Sequence, residues 1–193
     1  RFDRLDGFSP ATPCLLHVEG VSIDPDTLPG QADLAGSASP DSTVQIIDLE
    51  TGERRLLFAE LDSHEQAIGE GRRSLLVRPM EALGWGRHVA VVITDGIRDT
   101  SGDPIPSPPG FAALVRGTGI PESLQPYVPH YEDLFARLED LGLAVDDLFI
   151  AWDFWTGTED VAHAQMDAII ASVNAEFPID PAFVPPYALR ETR

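Results

Sequence analysis

Asp153 is the side chain whose setting most invites chemistry, because it lies among Trp152, Phe154 and Trp155 in the run Leu148-Phe-Ile-Ala-Trp-Asp-Phe-Trp-Thr156. A carboxylate buried without a partner has a raised pKa, and such groups mark functional sites. Strand alternation offers a plainer role. It puts Ile150, Trp152 and Phe154 on one face and Ala151, Asp153 and Trp155 on the other. Asp153 then points to a helix-covered or solvated face, where a backbone group or an arginine satisfies it. Trp152 and Phe154 are expected as core anchors. Trp155 is either a packing residue or, with Trp85 and Asp153, part of a surface for sugar or lipid.

Other reactive arrangements are weaker. An α/β-hydrolase serine needs Gly-x-Ser-x-Gly, whose strained turn exposes the hydroxyl, and no such run occurs. Ser9 and Ser37 sit in loops without a strand-to-helix context. The histidines His17, His64, His88, His130 and His163 show no spacing that marks a zinc helix. Each reads as a surface or half-buried residue, and His88 occupies a strand position suited to packing. Asp95, Asp99 and Asp103, with Asp24 and Asp26, raise the question of calcium, which takes six to eight oxygens. EF-hand spacing is missing, and turn chemistry accounts for Asp99 without an ion. In Asp99-Thr-Ser-Gly-Asp103, Asp99 is expected to accept from backbone N–H groups ahead of it, with Gly102 and Asp103 completing a tight turn. No metal and no cofactor are expected.

The elements that position these residues begin with Cys14 to Val18, a first strand. Residues 20 to 42 read as loop, with one helical turn at Pro25 to Leu28. Thr43 to Leu49 and Arg54 to Leu61 flank Glu50-Thr-Gly-Glu53 as a hairpin. Leu75 to Pro79 and His88 to Thr94 are Val- and Ile-rich strands bounded by glycines. After Phe111 the character changes. Tyr131, Leu134, Phe135, Leu138 and Leu141 recur at helical spacing within His130 to Leu143, and Gly142 ends that helix. Leu148 to Thr156 is a buried strand, and Thr158 caps a second helix running to about Asn174. The closing 178–193 reads as a proline-rich linker.

The chain has 193 residues, a net charge of −19 and 13 basic residues, all arginine. Phosphate recognition draws on basic stripes, and these arginines are scattered among carboxylates, so nucleic acid is not an expected partner. Cys14 is the lone cysteine, which excludes a disulfide-stapled framework. No apolar run approaches the 18 or so residues of a membrane span.

Leu83-Gly-Trp-Gly-Arg-His-Val-Ala-Val-Val92, followed by Gly96-Ile-Arg-Asp-Thr-Ser-Gly-Asp-Pro-Ile105, resembles bacterial Ig-like domains with their strand and Asp-x-x-Gly-Asn-Pro turn. Here Asp103 stands where asparagine is usual. Leu5 to Pro13, Phe58 to Asp62, the 75 to 105 unit and Ala151 to Thr156 together resemble the N-terminal region of secreted bacterial lipases of the virulence-factor type and of related uncharacterised proteins. The resemblance covers residues 5 to about 157. It implies a mainly β fold, an Ig-like antiparallel sandwich in two layers over residues 5–117. A helix-strand-helix extension over 118–177 packs on it. It also implies a non-catalytic accessory or spacer domain of a larger secreted, periplasmic or cell-surface protein, partnered by the rest of that protein. Any catalytic part would lie outside residues 1–193. The alternative is a glycan- or lipid-binding module. Exposure of Trp85 and Trp155 in one cluster favours the module, and their burial favours the spacer.

Overall fold

The computed structural model describes residues 5–18, 22–63 and 74–177. The histidine at 64 and the linker expected at 178–193 lie outside these residues. The strands are β1 (Cys14–Leu16), β2 (Val44–Asp48), β3 (Arg54–Arg55), β4 (Leu57–Leu61), β5 (Leu75–Pro79), β6 (His88–Thr94) and β7 (Leu148–Trp155). They form two antiparallel sheets, ordered β1-β5-β4 and β3-β2-β6-β7. The helices are α1 (Pro109–Arg116), α2 (Val128–Asp140) and α3 (Glu159–Glu176).

Side-chain period sorts the core into two parts. Val44 and Ile46 of β2, Val89, Val91 and Ile93 of β6, and Phe149 of β7 pack against Leu57, Leu75 and Val77 of the smaller sheet. The opposite face of the larger sheet, with Ile47, Ala90, Val92 and Ala151, is covered by Phe111 of α1 and by Leu134 and Leu138 of α2. There are therefore three layers where two were expected, and the helices hold more residues than the strands. The architecture is a mixed sandwich. Being covered on both faces, β6 has every residue but Thr94 buried, which is why its sequence is continuously apolar.

The strand expected over Arg54 to Leu61 is split at Leu56: β3 pairs with β2, while β4 pairs with β5 in the other sheet. At this corner the buried Ser37 hydroxyl accepts from the Leu57 N–H at 3.0 Å and donates to the Leu34 carbonyl at 2.6 Å. An orphaned amide at a sheet switch is thereby satisfied. The helix α1 was not anticipated, although Pro109 stands in its first turn and Gly117 closes it in the left-handed conformation at φ 66°, the usual placing of these two residues.

The late strand β7 pairs with β6 from His88 opposite Trp155 to Thr94 opposite Leu148, with a bulge beside Ile93. The bulge reverses the side-chain alternation. Leu148 consequently faces the helices while Phe149 enters the core between the sheets, and beyond it the expected faces of residues 150 to 155 are kept. Past the end of β7 the N-terminal segment closes in: Phe8 donates to the Trp155 carbonyl at 2.9 Å and Gly157 to the Phe8 carbonyl at 2.8 Å. A Cβ on Gly7 would lie 2.5 Å from the backbone of Thr156 and Gly157, so only glycine fits there.

Candidate functional site

Among the described residues Asp153 is held between two histidines, not by the backbone group or arginine expected. His88, at the start of β6, brings its Nε2 to within 2.5 Å of Asp153 Oδ2. His130, in the first turn of α2, brings its Nε2 to within 2.6 Å of Oδ1. A carboxylate only accepts, so each imidazole presents an N–H from Nε2. The Asp153 side chain is 5% exposed and His130 52%. The cluster is therefore a buried acceptor with one sheltered and one solvent-facing donor. Adjacent Tyr131 has its phenol pushed up, by burial first and by the Asp153 charge second.

Trp155 completes the site. Antiparallel register sets it opposite His88 on the same face, and the rings stack with centroids 4.4 Å apart and planes 10° from parallel. One face of the indole is occupied by His88, itself fixed by Asp153, and 49% of Trp155 remains exposed. The result is a half-exposed aromatic plane beside polar groups. Trp85 is 41% exposed and meets His163 of α3 edge to face at 5.8 Å. It sits near the same end of the molecule, where Gly86 donates to the Gly157 carbonyl.

Behind Asp153 the two sheets leave a seam between their edge strands β1 and β7. It forms a cleft of about 260 Å³ lined by Phe8, Thr12, Pro13, Cys14, Leu15, Trp152, Asp153 and Phe154. Trp152 and Phe154, expected as core anchors, pack against the core while remaining partly buried, and they also wall this cleft. Burial pushes the Cys14 thiol up to about 11.

The other singled-out residues serve local structure. Asp99 Oδ1 accepts from Ser101 N at 2.8 Å and Asp103 N at 2.9 Å, and Gly102 N donates to the Asp99 carbonyl, the turn read from the sequence. Asp24 Oδ1 accepts from Asp26 N at 3.0 Å. Ser9 Oγ lies 3.3 Å from the Ala11 N–H. Among the described residues, no three or more histidine, cysteine, aspartate or glutamate side chains are grouped to hold a metal ion. His17 is exposed. The histidine pair was missed because His88 and His130 lie on different elements, and only α2 packing over β6 and β7 brings them to one carboxylate.

Fold and site together define a helix-covered sandwich of two antiparallel sheets with an exposed, histidine-backed tryptophan. No protein-family model matches the chain, and no curated protein matches it.

Proposed function

We propose that this chain is a non-catalytic, Ig-like accessory domain of a larger secreted, periplasmic or cell-surface bacterial protein, and that it serves that protein by binding a glycan at Trp155. The observation that carries the reading is the stack of Trp155 on His88, itself fixed by Asp153. Sugar rings present a face of C–H groups that packs on an aromatic plane, and a plane already immobilised loses little entropy on binding. The exposed His130, held by the same Asp153, is a polar group for a sugar hydroxyl. Exposure of Trp155 supports a binding module over a bare spacer, although Trp85, exposed too, packs edge to face on His163 and not in one cluster with it. Support for the Ig-like reading comes from two antiparallel sheets packed face to face, with residues of both in one core.

A lipid is the second reading, and the apolar cleft between β1 and β7 is what favours it. The two are separated by titrating the protein with a panel of bacterial and plant oligosaccharides, and separately with fatty acids, while following tryptophan fluorescence. Glycan binding is expected, weakened at least about tenfold in Trp155→Ala and little changed in Trp152→Leu. Fatty-acid binding lost in Trp152→Leu and kept in Trp155→Ala assigns the cleft instead. Binding of neither class leaves the spacer role.

A further inference from the structure

The helix α3 holds no buried residue along its 18 positions. Nevertheless Met166, Ile169, Ile170, Val173 and Phe177, each 48% to 66% exposed, recur at i, i+3, i+4, i+7 and i+11. At 100° per residue the four within α3 fall in roughly one third of the helix circumference, the stripe that a partnered amphipathic helix buries, and Phe177 stands at the helix C-cap. The far side adds no polar compensation, since Ala164, Ala168, Ala171 and Ala175 lie along it. A helix of this length in water gains little from propensity alone and draws its stability from packing. Among the described residues, Trp85 against His163 in the first turns is the ring contact it makes.

Charge decides what covers the stripe. Asp160 and Asp167 flank it on one side and Glu176 on the other, with Glu159 at its N-terminal end, and α3 contains no arginine. Pairing with a second copy would set these carboxylates against each other on chains of net charge −19. An anionic membrane surface is repelled in the same way. We propose that α3 is a docking helix for another protein, and that the partner segment is an amphipathic helix with an apolar face flanked by lysine or arginine. Apolar contact supplies the affinity, and the acidic flanks select a basic partner and reject an acidic one.

The test uses two fluorescent designed peptides of equal length, both with leucine and isoleucine along one helical face, flanked in one by lysine and in the other by glutamate. Anisotropy is followed as the full chain is added. The lysine peptide is expected to bind at least about tenfold more tightly than the glutamate peptide, with the gap narrowing as salt is raised. Ile169→Glu and Val173→Glu should each abolish that binding, and their unchanged far-ultraviolet circular dichroism would show that the exposed substitutions leave the fold intact. Equal binding of the two peptides, or binding of neither, overturns the proposal. So does sedimentation showing self-association that Ile169→Glu removes, or attachment to phosphatidylcholine vesicles lost in the same variants. Peptide binding seen only after residues 178–193 are deleted assigns the stripe to this chain's own tail and likewise overturns it.

Discussion

Asp153 shows how one buried acceptor ties three elements together. It belongs to β7 and is held by a side chain from β6 and another from α2, so replacing it leaves two imidazole donors without their acceptor. Asp153→Ala is expected to lower stability by about 1–3 kcal/mol in a urea titration. His130→Ala should cost less than about 1 kcal/mol, because its exposed ring can be replaced by water. Equal losses for the two would show that the buried carboxylate is not the keystone. Asp48 is a second case. Burial by itself would raise its carboxyl, but the Arg87 guanidinium and the N–H groups of Thr51 and Glu50 outweigh that and hold it below the usual range. A depressed folded-state pKa adds stability above the unfolded value near 3.9, and that stability is lost as pH falls through the folded value. Urea midpoints of the parent should therefore fall more steeply than those of Asp48→Asn as pH is lowered below about 4. Parallel curves would remove Asp48 from the acid response.

Among the elements, β7 carries the strongest contrast between neighbouring aromatics. The bulge beside Ile93 sends Phe149 into the core between the sheets, where it is almost fully enclosed, whereas Trp152 stands at the open seam. Phe149→Ala is expected to cost about 3–5 kcal/mol, and Trp152→Ala about 1–3 kcal/mol because part of its surface is already wet. A larger loss at Trp152, measured by denaturant unfolding, would mean that the seam is closed in solution. The helices divide along the same line: α2 spends its apolar stripe on the sheet, and α3 leaves its own uncovered.

For the molecule as a whole, the issue is whether a histidine pair on a carboxylate makes an enzyme. Acyl transfer needs a nucleophile within reach of a base, together with oxyanion donors. Here the Ser37 hydroxyl is committed to a sheet corner and Ser9 to its own turn, and neither is hydrogen-bonded to the cluster of His88, Asp153 and His130. Residues 1–193 are expected to hydrolyse p-nitrophenyl esters no faster than background. Turnover that Ser9→Ala, Ser37→Ala, His88→Ala or His130→Ala abolishes would make the chain a catalyst.

Local physics was legible in the residues themselves. The Asp99 turn, the Thr158 cap, the left-handed Gly142 and the strands β5, β6 and β7 follow from side-chain size, hydrogen-bonding reach and period, which act over a few positions. The faces of residues 150 to 155 followed from strand period too, so Asp153 was correctly turned away from the core between the sheets. What faced it was not legible. His88 and His130 stand far from it in sequence, and the sequence carries no mark of which helix will lie over which strand. The split at Leu56, the third layer and the cleft between β1 and β7 share that origin. Each depends on how surfaces distant along the chain bury one another, and many distant pairings satisfy the same local pattern until the whole core is packed.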